Sequence, residues 1–164
     1  MKSIIDLKNN PDYIKLDEYK EFDYEIPEII LDFVINKEKV DVKTQLKLNK
    51  RNKITNILIL DGTDDIHIKK IYMNDLLLDK NYYIQEKKSL LIKNINTEDF
   101  WITIEGVIKP KENVSLLGMY ESNGIITTQC EAEGFRKICF HPDRPDILSK
   151  YIVRIEADKE EYPV

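Results

Sequence analysis

Histidine and cysteine are scarce in this chain and a net positive charge is lacking, and each of these removes a class of function. Only two histidines, His67 and His141, occur in 164 residues. They lie far apart and neither begins an H-E-x-x-H pattern. Two imidazoles one helical turn apart, with a glutamate base between them, are therefore not available to hold a catalytic zinc. The two cysteines, Cys130 and Cys139, lack the C-x-x-C spacing of metal or redox pairs and read as reduced, buried thiols. No apolar run approaches the roughly 20 residues that cross a bilayer as a helix. The opening Met1-Lys2-Ser3-Ile4-Ile5-Asp6 leads into no apolar segment, so neither a signal peptide nor an anchor is expected. The cytoplasm is the expected location and no membrane partner is expected. Glycine, with five residues, and proline, with six, are too few for a low-complexity chain. The net charge is -5 and the pI about 5.2. The one basic cluster, Lys50-Arg51-Asn52-Lys53, falls at a predicted turn, so no nucleic-acid partner is expected.

What remains is 42% apolar and 34% charged, the balance of one globular domain long enough to bury a core. Residues 1–20 are polar, contain Pro11, and read as a lead-in arm. Residues 21–164 carry the strand signals. Between residues 25 and 36, Pro27 interrupts an apolar run, and the strand is predicted to start after it. Residues 40–48 give the clearest period of two. Val40, Val42, Thr44, Leu46 and Leu48 fall on one face, and Asp41, Lys43, Gln45 and Lys47 on the other. A short strand is predicted over 54–61, ended by Asp61-Gly62, and another over 65–73. A hairpin is predicted across Glu86-Lys87-Lys88. Residues 100–108 carry bulk on both faces, as a central strand does. Trp101 and Tyr120 read as packing anchors. A loop or short hairpin lies between Gly118 and Gly124, and a strand over 125–129 follows. Pro145-Asp146 is read as opening one helical turn, and 151–158 as a last alternating strand. Many short strands and no long amphipathic helix predict an all-β fold, an antiparallel β-sandwich.

Residues 127–146, T-T-Q-C-E-A-E-G-F-R-K-I-C-F-H-P-D-R-P-D, are the only stretch dense in side chains that can do chemistry. From the residues alone, Gln129 and Glu131 read as a solvated strand face. Cys130 between them points inward. Arg136, Asp143, Arg144 and Asp146 read as an ion-pair and capping network that shapes a turn. His141 reads as a turn residue and His67 as a strand residue, with neither expected to bind metal.

The run T-Q-C-E-A-E-G-F-R, followed by D-R-P-D, resembles the amino-terminal domain of the aminopeptidase N family of zinc peptidases. Gly118-Met119-Tyr120 before it and residues 151–159 after it agree, with looser matches at Leu16-Asp17-Glu18-Tyr19 and Leu60-Asp61-Gly62. The resemblance implies a saddle-like β domain packed against a catalytic domain in cis. The full enzyme would remove single amino-terminal residues from peptides, with zinc as cofactor. The family's zinc motif and its G-x-M-E-N loop are absent from this sequence, so the resemblance carries no catalytic or metal-binding residue onto it. It does carry a substrate anchor. The family's glutamine and first glutamate of T-Q-C-E, here Gln129 and Glu131, hold the free α-amino group of the peptide. An ammonium has only donors and needs a carboxylate and neutral acceptors. An internal peptide would leave that carboxylate unpaired, a mismatch of roughly 2–5 kcal/mol. Glutamate rather than glutamine at 131 favours the aminopeptidase N branch over the leukotriene-hydrolase relatives. The chain is expected to be inactive alone, with a stand-alone binding module or a truncated gene product as the alternatives. A domain ending near Val164 is expected to leave an apolar sheet edge uncovered.

Overall fold

The computed structural model describes residues 16–162. Eleven strands follow in chain order. They are β1 (Tyr24–Ile35), β2 (Val40–Lys50), β3 (Leu58–Asp61), β4 (His67–Met73), β5 (Leu76–Leu77), β6 (Tyr83–Gln85), β7 (Ser89–Ile92), β8 (Asp99–Ile108), β9 (Gly118–Ser122), β10 (Ile125–Gln129) and β11 (Lys150–Ala157). The only helical pieces among the described residues are 3-10 turns of three residues. The strands form a six-stranded sheet, β11-β1-β2-β8-β4-β5, a three-stranded sheet, β3-β7-β6, and the β9-β10 hairpin. The fold is an all-β sandwich, as expected from the strand pattern.

The core lies between the sheets. β2 buries Val40, Val42, Thr44, Leu46 and Leu48 and turns its charged residues outward, the pattern its alternation dictates. From the smaller sheet Leu58, Leu60, Leu90 and Ile92 are wholly buried. Each such side chain contributes about 1.5–3 kcal/mol relative to leaving it in water. β8 lies between β2 and β4 and is buried on both faces over much of its length, in keeping with its sequence.

Pro27 does not stop β1. The strand runs through it from Tyr24, and the pairing with β2 shifts register between Glu25 and Glu28. Proline lacks the N–H a regular ladder needs, and a bulge is where a sheet tolerates that loss. The bulge also changes the strand's parity. Tyr24 and Ile26 are buried before it, and Ile29, Leu31 and Phe33 after it. An unbroken alternation would have turned one of these sets to solvent.

Four other expectations are corrected. β3 begins at Leu58, and Ile54 lies exposed in the preceding loop. No helical turn follows Pro145, where a simple turn leads into β11. Trp101 and Tyr120 are only half-buried. The packing aromatics are instead Tyr24, Phe100 and Phe140, with Tyr24 and Phe100 edge to face at 5.9 Å and 85°. Finally, the last strand does not alternate in burial: β11 pairs parallel to β1 at the edge of the sheet. Every residue of β11 is exposed, including Tyr151, Ile152, Val153 and Ile155.

Of the predicted arm, residues 1–15 lie outside the described residues. Residues that follow are docked. The Tyr19 hydroxyl donates to Asp146 at 2.7 Å, and Arg144 donates to the Lys20 carbonyl at 2.8 Å.

Candidate functional site

The 127–146 stretch begins in β10. Asn123 and Gly124 both take positive φ, 51° and 81°, in the tight turn that reverses the chain from β9. The pairing then sets Gln129 opposite Gly118. Here strand geometry stops. Residues 131–134 form a turn, the Glu131–Ala132 peptide bond is cis, and the Gly134 N–H donates to the Cys130 carbonyl at 2.7 Å. Gln129 and Glu131 therefore do not share one strand face, because only Gln129 belongs to a strand. Gln129, Glu131 and Glu133 are all exposed, and Cys130 packs partly buried against the core. Gly134 explains why the chain folds back so tightly. It is buried, and a Cβ there would lie 2.7 Å from both the Gln129 carbonyl oxygen and the Cys130 Cα.

Beneath the turn lies a charged clasp. One Asp143 oxygen accepts from both the Arg136 backbone N–H and Nε, each at 3.1 Å. Arg136 Nη2 donates to the Asp143 carbonyl at 3.0 Å and reaches Glu133 at 3.4 Å. The Asp143 N–H donates to Asp61 at 2.9 Å, and the His141 N–H to the Asp61 carbonyl at 3.1 Å. Arg144 and Asp146 form a second pair at 2.6 Å, which holds the Asp146 carboxyl down to about 2. The ion-pair part of the reading of these four residues is met, as two separate pairs, but no helical turn follows Pro145 for Asp146 to cap. Asp61 is the member that sequence reasoning missed, since it showed there as half of an Asp-Gly turn and in a loose family match, with no partner assigned.

His141 is buried and forms an isolated bridge with Asp61 rather than lying in a turn. Phe135 meets its ring edge-on at 4.9 Å, and Nε2 lies 3.6 Å from Asp143. Burial pushes its imidazole below the ordinary 6.5, outweighing the opposite pull of Asp143. A proton must then bind more readily in the unfolded chain, so the stabilising contribution is present above about pH 6.5 and is lost as pH falls below it. The urea midpoint is expected to drop between about pH 7.5 and 5.5, and His141→Asn to flatten that drop. Asp146 titrates far below this window. The thiols are quiet: burial raises Cys130 and pushes Cys139 up to about 12, away from thiolate chemistry.

Among the described residues, no group of three or more His, Cys, Asp or Glu side chains is placed to hold a metal ion. No helix there is long and apolar enough to cross a membrane. His67 is exposed on β4. A cavity of about 290 Å³ lined by Asp64, His67, Glu112, Ser115 and Lys137 includes neither Gln129 nor Glu131.

Comparison with known proteins matches residues 17–164 to the Peptidase M1 N-terminal domain. The chain is an M1 peptidase N-terminal domain. It is 37% identical to aminopeptidase N of Haemophilus influenzae over 146 residues, covering 89% of this chain and 17% of that protein. Among solved structures, Legionella pneumophila aminopeptidase A in complex with aspartic acid superposes with a TM-score of 0.83 at 36% identity, over 92% of this chain and 18% of that one. An M1 zinc metallopeptidase from Deinococcus radiodurans shares the fold, with a TM-score of 0.68 at 13% identity, over 84% of this chain and 33% of that one. The M1 domain thus spans about a sixth of the length of the curated relatives it matches. The family is one of zinc metallopeptidases, but the described residues of this domain do not fit a zinc site.

Proposed function

We propose that this domain supplies the substrate's α-amino anchor in a zinc-dependent aminopeptidase that removes single amino-terminal residues from peptides. Gln129 and Glu131 are the anchor, and peptide amino termini are the ligands. The observation that carries the reading is an exposed amide at the end of β10 and an exposed carboxylate on the tightly held turn that follows it, in an M1 domain. The carboxylate meets the ammonium's charge and the amide oxygen accepts one of its N–H bonds. The Legionella protein matched at 36% identity was solved with aspartic acid, a molecule with a free α-amino group. The zinc-binding residues and the hydrolytic step belong to a catalytic domain in cis. On this reading residues 21–164 belong to the domain and residues 1–20 are its lead-in, the setting is cytoplasmic, and this part by itself turns over no peptide.

The test is a chimaera in which this chain replaces the matching segment of the Haemophilus aminopeptidase N. Glu131→Gln removes one charge and keeps the shape. A hydrogen bond to a charged group contributes about 1.5–3 kcal/mol, so kcat/KM is expected to fall roughly tenfold to a hundredfold. Zinc content should stay at the chimaera's level. Unchanged kcat/KM, or loss of zinc, would contradict the assignment.

A further inference from the structure

Resting on the anchor reading above, we propose that Asp143, Arg136 and Gly134 are positioning residues, which hold the 131–134 turn against the end of β10 so that Glu131 meets the substrate's amino group at a set place. The turn is exposed, and by itself it is short of restraints. Its internal tie is the Gly134 to Cys130 hydrogen bond. What surrounds that bond links the turn to the sandwich core step by step. β3 ends at Asp61, whose side chain accepts from the Asp143 N–H. Asp143 binds the backbone and side chain of Arg136 through one oxygen. Arg136 reaches back to Glu133, inside the turn. Gly134 closes the other side, because its missing Cβ lets the chain rest on Gln129 and Cys130, with Leu117 2.9 Å from where that Cβ would be.

This arrangement has more than a stabilising use. A carboxylate on a loose turn must be ordered each time it binds an ammonium, and that ordering weakens the contact. A carboxylate held from the core is already in place, and displacements of about 1 Å at a binding group can cost about a hundredfold. The side chain of Asp143 is only 12% exposed and that of Arg136 22%, so solvent screens their pairing little. Neither residue needs to touch the substrate to act in this way.

The experiment compares leucine hydroxamate with its des-amino analogue by titration calorimetry on the zinc-loaded chimaera. The two compounds differ only in the amino group, so the ratio of their affinities reports the anchor alone. In Glu131→Gln that ratio is expected to fall about tenfold. In Asp143→Asn, and separately in Gly134→Ala, it is expected to fall by about tenfold or more, while des-amino binding changes less than about threefold. Two different lesions are used so that poor folding of one leaves the other to decide. Equal loss for both compounds would mean that the clasp only stabilises the domain, and would overturn the proposal. A ratio that falls in Glu131→Gln but holds in Asp143→Asn and Gly134→Ala would overturn it and leave the anchor reading intact. A ratio that holds in Glu131→Gln would overturn both.

Discussion

Phe140→Ala is expected to lower the free energy of unfolding by about 3–5 kcal/mol, the range for deleting a buried aromatic ring and leaving its cavity. Phe140 is 1% exposed and belongs to the core cluster. Its ring packs against Gly62, where a Cβ would stand 2.0 Å from the ring carbon Cδ1. Gly62→Ala should destabilise from the other direction, by forcing ring and strand end apart. The two substitutions should be strongly non-additive, since removing the ring removes the clash. Urea denaturation of the chain and the three variants checks this. A loss below about 1 kcal/mol for Phe140→Ala would mean that the ring is not a core anchor.

Asp143→Ala is the second large effect. It leaves the Arg136 guanidinium and backbone N–H without their shared acceptor and removes the carboxylate facing His141. Breaking one half of a buried charged pair costs about 3–5 kcal/mol. Arg136 keeps Glu133 at 3.4 Å and Asp61 at 3.8 Å, which argues for the lower end, about 3 kcal/mol. Arg136→Ala should cost less than Asp143→Ala, because Asp143 keeps a hydrogen bond from the residue 136 backbone. The same denaturation series ranks the two, and the reverse order would show that the guanidinium's packing matters more than the carboxylate's bonds.

Which of these features could be read from the sequence depends on the range of the interaction. β2 was legible because its burial alternates residue by residue, and β8 because bulk on both faces needs neighbours on both faces. The stretch read as a loop or short hairpin between Gly118 and Gly124 is instead strand β9 and the turn into β10, a turn whose residues Asn123 and Gly124 carry their own backbone preference. Pro27 misled because proline ends regular strands, whereas here a bulge absorbs it and restores burial beyond it. At the site, Gln129 and Glu131 were legible through the motif alone, and their shared strand face was not met. What decides their setting is Gly134 resting on Gln129 and Cys130, a contact in space that alternation cannot express. Asp61 was illegible for a related reason: its partner Asp143 lies 82 residues away, and a pairing over that distance leaves no local signature.

The parallel β1-β11 pair sets an order of assembly. Asp32 and Arg154, opposite each other in that pair and bonded at 2.8 Å, are 122 residues apart. β1 and β2 are joined by a short reversal and can pair as soon as both have left the ribosome. The second edge of β1 must wait until nearly all of the described chain has been made. Contacts of such separation are slow to form, since a large loop closes before any of them is gained. During synthesis the domain therefore passes through a stage with its main sheet built and the backbone edge of its first strand still open. That open edge is a template for any passing strand until β11 covers it.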